Sequence, residues 1–238
     1  NNPHAIPQTI ADIISIKFNE PMCTRVYIAV ATTKGYTTQL IVMYLFAIYA
    51  AKKLEKISAS EYKELIEELK SLPKLIQQVL DMNPSIPELA KKYHSSDSMF
   101  FIGRNTDYAV ALEGSLKLKE ISYIHSEAYP AGELKHGPIA LIENDVTVIG
   151  IITDPNLVEK SISNLQEVIT RGAKTLVITN QVLSNSNFDF VVTIPETNPL
   201  ISPILSVIPL QLLAYYISKN KGLDVDKPRN LAKSVTVE

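Results

Sequence analysis

Three charged residues in one stretch of the sequence have the spacing of a single helix face. Glu113, Lys117 and Glu120 are separated by four and three positions, so a helix would place their side chains next to one another. A carboxylate on a rigid helix can act as a general base, and a lysine one turn away can stabilise developing negative charge. The ordinary alternative is a solvent-exposed set of weak ion pairs.

A histidine follows in a context that predicts a turn. His136 stands between Lys135 and the dipeptide Gly137-Pro138, which is typical of a chain reversal. Histidine titrates near neutral pH, so an imidazole on a turn can serve as a general acid or base. His125, by contrast, is expected at the end of the charged helix, as a structural cation.

The carboxyl-terminal segment 226–238 has neither helical nor strand periodicity. A frayed chain end is the ordinary explanation for such a segment. It contains Lys233, however, and an amine near a chain end can fold over a site and attack a carbonyl group.

The elements that position these residues alternate between strand and helix. An apolar strand that ends at Gly103 precedes the charged helix, which places the start of the helix at the carboxyl edge of a parallel sheet, where ligands of open α/β folds bind. Strands that are apolar on both faces predict an α/β three-layer sandwich, a parallel sheet flanked by helices. The predicted strands are 98–102, 146–152, 175–179 and 190–194, and the predicted helices are 106–125, about 156–171 and 201–220.

The first part of the chain is predicted to be mainly helical. Residues 37–54 predict a buried helix, and Ser58 with Glu61 forms a capping box that starts another. Pro73 is expected to end or kink that second helix, because proline disfavours helical geometry in the residue before it. Residues 83–87 are the best candidate linker.

Composition excludes several functional classes. The 238 residues are 46% hydrophobic and 20% charged, with a net charge of -2, which gives no field to attract nucleic acid or an anionic membrane. The apolar run 40–51 is shorter than the roughly 20 residues that a membrane-spanning helix needs. We recognise no signal peptide, no glycine-rich phosphate loop and no metal-ligand cluster, and we expect no metal or other cofactor. The single cysteine, Cys23, excludes an intrachain disulfide.

Three segments resemble a known family. Residues 111–129 and 131–138, which read ALEGSLKLKEISYIHSEAY and AGELKHGP, resemble the sugar isomerase (SIS) domain of the glutamine–fructose-6-phosphate aminotransferases, or glucosamine-6-phosphate synthases. Residues 224–238 are similar to the carboxyl terminus of that family. Residues 30–40 resemble a segment of its first isomerase subdomain.

The resemblance implies an SIS-type fold and a reaction. The family makes glucosamine 6-phosphate from fructose 6-phosphate and ammonia released from glutamine. Glu120 matches the carboxylate that moves a proton between C1 and C2 of the sugar, with Lys117 beside it. Lys233 matches the lysine that forms an imine at C2, and His136 matches the histidine that helps to open the sugar ring across a dimer interface.

The resemblance also implies two binding positions and a homodimer. Ala232 and Val30 match positions that line the sugar pocket through their backbone. The glutaminase domain of the family, with its amino-terminal cysteine nucleophile, is absent, and Cys23 does not replace it. The Gly/Ser/Thr-rich loops that hold the sugar phosphate have no counterpart either. We therefore expect a partial first SIS subdomain at 1–85 and a complete second one at 86–238.

Two functional hypotheses follow from this resemblance. In the first, the chain is the isomerase part of a cytoplasmic aminotransferase that serves amino-sugar (UDP-N-acetylglucosamine) synthesis. In the second, it is a truncated, inactive paralogue that only binds sugar derivatives or dimerises. A sugar-phosphate-sensing domain of a transcription regulator is disfavoured, since no DNA-reading helix pair is recognisable. We expect weak or no turnover from the isolated chain, and association through the apolar face of 40–51.

Overall fold

The computed structural model describes residues 31–183 and 187–231. Three helices come first: α1 (Lys34–Lys53), α2 (Ala59–Met82) and α3 (Ile86–Tyr93). Strands and helices then alternate: β1 (Ser98–Gly103), α4 (Thr106–Ser122), β2 (His125–Pro130), two short 3₁₀ helices (Ala131–His136 and Pro138–Leu141), β3 (Thr147–Ile152), α5 (Val158–Ile169), β4 (Lys174–Thr179), β5 (Phe190–Thr193) and α6 (Ser202–Asn220).

The strands form one parallel sheet in the order β2-β1-β3-β4-β5. Phe101 of β1 pairs with Ile149 of β3, which in turn pairs with Leu176 of β4. Four of these strands were predicted. The edge strand β2 was not, because its sequence HSEAYP is half polar and only one of its residues is fully buried.

Alternate residues of the strands face two separate hydrophobic layers. Phe101 and Ile151 point into a large cluster together with α2, α3, α4 and α6. Phe100 and Val148 point the opposite way, into a cluster with α5 and the 3₁₀ segment. This division is the three-layer α/β sandwich that the sequence predicted.

The helix that carries the charged residues packs closely on the last helix of the chain. A Cβ at Gly114 of α4 would lie 2.5 Å from a methyl carbon of Leu210 in α6. Glycine is therefore what allows the two helices to approach this closely. α6 is buried on nearly all sides, with Pro209 inside it, so α4 lies against a rigid, apolar partner.

The predicted capping box is confirmed, and of the two outcomes expected at Pro73, an end or a kink, the end of the helix is wrong. The Ser58 hydroxyl accepts from the backbone N–H of Glu61 at 3.2 Å, and the Glu61 carboxylate accepts from the N–H of Ser58 at 2.8 Å. α2 continues through Pro73 to Met82 because side chains on both sides of the proline, Leu69 and Val79 among them, are buried in the core and stabilise the helix. Proline removes only one N–H donor.

The helix α1 presents much of its apolar surface to solvent. Leu45 and Ile48 are buried, but 64% of Met43 and 66% of Phe46 are exposed. The prediction of a buried helix is therefore correct for one face only, and the expected uncovered face is present. Among the described residues, no helix is both long enough and apolar enough to cross a membrane.

Candidate active site

The start of α4 is fixed to the sheet by a buried carboxylate. Asp107 accepts hydrogen bonds from the backbone N–H of Thr153 at 2.8 Å and from its hydroxyl at 2.5 Å, just beyond the end of β3. Burial raises the pKa of Asp107, while these hydrogen bonds oppose that effect. A Cβ at Gly103 would come within 2.4 Å of the Asp107 backbone, so the tight turn from β1 into α4 requires glycine.

Three of the charged residues of α4, Glu113, Lys117 and Glu120, form one largely buried group. The Lys117 Nζ lies 2.5 Å from Glu120 Oε2 and 3.8 Å from Glu113 Oε1. The side chains of Lys117, Glu113 and Glu120 are 7%, 11% and 21% exposed. These values exclude the solvent-exposed alternative, because a surface ion pair leaves both partners in water.

The electrostatics of this group are unbalanced. Two carboxylates surround one ammonium, and Glu113 Oε1 is buried without a hydrogen-bond partner, since 3.8 Å is too long for one. Burial raises the pKa of Glu113, Lys117 lowers it, and Glu120 raises it again. The negative charge of Glu113 also affects Tyr36 of α1. Burial, and then repulsion by Glu113, raise the pKa of Tyr36 to about 12.

The arrangement can hold and move a proton. Of the side chains of Glu113, Lys117 and Glu120, that of Glu120 is the most exposed and therefore the most accessible to a ligand. Lys117, almost fully buried, supplies a positive charge at a fixed position next to it. A partly buried carboxylate beside a fixed cation suits proton transfer at a carbon whose oxygen gains negative charge.

His136 and His125 lie on elements other than the helix α4 that carries Glu120 and Lys117. His136 ends the first 3₁₀ helix, is exposed, and makes no hydrogen bond or ion pair within the described part of the chain. His125 is in β2, with its Nε2 3.5 Å from Glu127 Oε1. The expectation that His125 ends α4 is wrong, because Tyr123 turns the backbone into the left-handed region and stops the helix at Ser122.

The start of the carboxyl-terminal segment lies at the end of α4. The backbone N–H of Arg229 donates to Tyr123 Oη at 2.8 Å, and the Arg229 guanidinium lies 4.2 Å from the centre of the tyrosine ring. Lys233, Ala232 and Val30 lie outside the described residues, so their predicted roles remain predictions.

Sequence reasoning missed two residues of this region. Tyr36 and Tyr123 lie within the segments that resemble the family, but neither was singled out there, and only the proximity of Tyr36 to Glu113 and the contact of Tyr123 with Arg229 reveal them. The left-handed backbone at Tyr123 could not be anticipated either, because glycine is the usual residue there. Within 31–183 and 187–231, no group of three or more His, Cys, Asp or Glu residues could hold a metal ion.

Known proteins are similar to this chain in sequence and in fold. The sequence model of the SIS domain family matches residues 92–218, more than half of the chain. A glutamine–fructose-6-phosphate aminotransferase of Clostridium tetani is 54% identical over 213 residues, which are 89% of this chain and 35% of that protein. A protein of the same name from Clostridium perfringens is 49% identical over 240 residues, 98% of this chain and 39% of that protein.

A solved structure agrees with the sequence comparison. The C-terminal domain of glucosamine-fructose-6-phosphate aminotransferase from Francisella tularensis superimposes with a TM-score of 0.81 at 37% identity, covering 85% of this chain and 58% of that one. The chain spans less than two fifths of the length of the curated relatives described above. Because sequence and fold agree across more than half of its residues, the chain belongs to the SIS domain family.

Proposed function

We propose that this chain is the isomerase part of a glutamine–fructose-6-phosphate aminotransferase, which makes glucosamine 6-phosphate from fructose 6-phosphate and ammonia. The single observation that carries the proposal is the buried pair of Lys117 and Glu120, 2.5 Å apart, on a helix fixed at the carboxyl edge of a parallel sheet. The names of the relatives from Clostridium tetani and Francisella tularensis support the same substrate and reaction.

The proposed chemistry assigns one proton transfer to Glu120. The Lys233 amine attacks C2 of the open-chain ketose and releases water as the imine forms, and ammonia then displaces the lysine. Glu120 removes a proton from C1 of the ammonia-derived imine and delivers it to C2, while the C1 hydroxyl loses its proton and the imine nitrogen gains one, which leaves an aldehyde at C1 and an amine at C2. The Lys117 ammonium stabilises the negative charge that develops on the C1 oxygen.

We further infer that the site is completed in a homodimer. His136 is exposed and unpaired in the described chain, and Leu141, at the end of the adjacent 3₁₀ helix, is 56% exposed. A second copy that covers this surface would bring its His136 to the sugar, as ring opening requires an acid–base group. Ala232 and Val30 would line the sugar pocket through their backbone.

The domain organisation and setting form part of the proposal. Residues 86–238 would be a complete second SIS subdomain, and residues 1–85 part of the first. All five strands of the described sheet lie between residues 98 and 193, which supports that division. We infer that the protein acts in the cytoplasm, in the synthesis of UDP-N-acetylglucosamine.

The deciding experiment supplies fructose 6-phosphate and an ammonium salt to the purified chain and measures glucosamine 6-phosphate by mass spectrometry. Turnover by the chain alone should be weak, and the product that it makes should disappear in Glu120→Gln and Lys233→Arg and persist in Lys119→Met, an exposed lysine on the same helix. Product that is equal in Glu120→Gln and the wild type would contradict the assignment. A folded chain that makes no product would favour the inactive paralogue instead.

A further inference from the structure

Tyr123, the residue that ends α4, has an unusual backbone conformation. Its φ of 61° and ψ of 14° lie in the left-handed region. Residues with a Cβ adopt this region at a cost in free energy, so helices that end this way usually have glycine there. A tyrosine at such a position suggests that its side chain does something that glycine could not.

The side chain of Tyr123 holds a distant part of the chain. Its hydroxyl oxygen accepts the backbone N–H of Arg229 at 2.8 Å, and the Arg229 guanidinium stacks 4.2 Å from the ring centre. A cation over the face of a tyrosine is attracted by the ring electrons. One side chain thus contacts Arg229 twice, through its backbone and through its guanidinium.

The segment between α6 and Arg229 is held along its length. The N–H of Leu223 donates to the carbonyl of Ser218, and the Asp224 carboxylate accepts from the N–H groups of the second and third residues after it. Val225 packs against the large core cluster, and Pro228 is buried. The contact with Tyr123 is the farthest along the segment of all these contacts.

We propose that Tyr123 is a positioning residue that anchors the carboxyl-terminal segment to α4 and so keeps Lys233 within reach of the sugar above Glu120. The inference rests on the proposed function. Glu120 precedes Tyr123 by three residues, or about 4.5 Å along the helix axis. Lys233 follows Arg229 by four residues, so the chain between them reaches at most about 14 Å. An anchor at Arg229 therefore limits how far along the chain the lysine can extend from the end of α4.

Limited proteolysis of the full chain tests the anchor without any need for activity. An arginine-specific protease cleaves after Arg229 and releases the nonapeptide 230–238, which mass spectrometry follows over time, whereas trypsin would also cut after Lys233 within that peptide. We expect release to be about tenfold faster in Tyr123→Leu, because both contacts are lost, and to increase less in Tyr123→Phe, which keeps the ring. Cleavage after Arg171, which is exposed and distant in the sequence, serves as the internal standard.

Two further variants separate anchoring from a merely structural role. Tyr123→Gly relieves the left-handed strain, so its Tm should exceed that of Tyr123→Leu while its nonapeptide is released equally fast. Tyr108→Leu removes a half-buried tyrosine of the same helix and should leave the release rate unchanged. Release that stays at the wild-type rate in Tyr123→Leu and Tyr123→Gly would overturn the anchor.

Trapping of the imine tests the consequence for Lys233. Borohydride with fructose 6-phosphate should add the reduced sugar to Lys233 in the wild type, and about tenfold more slowly in Tyr123→Leu at saturating sugar. Equal trapping rates despite faster release of the nonapeptide would overturn the positioning role. If the wild type itself traps no sugar while its segment is anchored, the proposed function fails and the anchor stands.

Discussion

The same glutamate–lysine spacing occurs in this chain both inside and outside the core. On α3, Lys91 Nζ lies 2.7 Å from Glu88 Oε1, and both side chains are more than half exposed. On α4, Lys117 Nζ lies 2.5 Å from Glu120 Oε2, and the two side chains are 7% and 21% exposed. The two pairs have the same three-residue spacing, in opposite order along the helix, and nearly the same length, and their main difference is burial.

Burial decides what each pair can do. Water screens the α3 pair, so each of its charges is stable without the other. The α4 pair has lost most of its hydration, so each charge depends on its partner, and a third group, Glu113, lies in the same buried space. Spacing on a helix therefore identifies charged side chains that can form an ion pair. Burial then distinguishes a candidate functional pair from an ordinary surface pair.

The largest expected effect is on stability when the buried cation is removed. Lys117→Met should lower the free energy of unfolding by about 3 kcal/mol, because it leaves two buried carboxylates without their counter-charge. Urea denaturation at pH 7 measures this loss. A loss below about 0.5 kcal/mol would mean that the α4 pair behaves like a surface pair, and that its charges do not depend on each other for stability.

Much of the fold could be predicted from sequence because local patterns suffice for it. The strand β3 is rich in valine and isoleucine and is buried at every position, and Ser58 and Glu61 fix the start of α2 through contacts three residues apart. The end of α4 could not be predicted, because it depends on Tyr123 and on Arg229, 106 positions away. The edge strand β2 was missed because its partly polar side chains give no strand pattern.

The candidate site was predictable in its residues and not in its environment. The shared face of Glu113, Lys117 and Glu120 follows from helix geometry and is confirmed. Their burial results from tertiary packing, such as the close approach of α6 to α4 at Gly114, which no local pattern reports. The exposed side of α1 illustrates the same limit, since a run of apolar residues does not show which of its faces the rest of the chain covers.

A smaller effect should appear in the pH dependence of stability. Burial raises the pKa of Glu113, so its contribution to stability is complete below the ordinary glutamate pKa and is lost as pH rises through the higher folded value. Glu113→Gln removes this titration. The variant should therefore gain stability relative to wild type, by less than about 1 kcal/mol, as pH rises from about 4 to 8.

The measurement is urea denaturation of both proteins across that pH range, with Glu88→Gln as the matched exposed carboxyl. The difference between Glu88→Gln and wild type should stay nearly flat, since its partner Lys91 is exposed and screened. A relative loss of stability in Glu113→Gln at pH 8 would show that attraction to Lys117 outweighs burial at this carboxyl.

The smallest expected effect belongs to the surface pair itself. Lys91→Met should change the free energy of unfolding by no more than about 0.5 kcal/mol at pH 7, because the ion pair with Glu88 is solvated. Raising the salt concentration to 1 M should remove even that difference, since the Debye length falls to about 3 Å. The corresponding loss in Lys117→Met should persist at 1 M salt, because ions do not enter the packed space around α4. Equal salt sensitivity in the two variants would mean that burial does not separate the pairs.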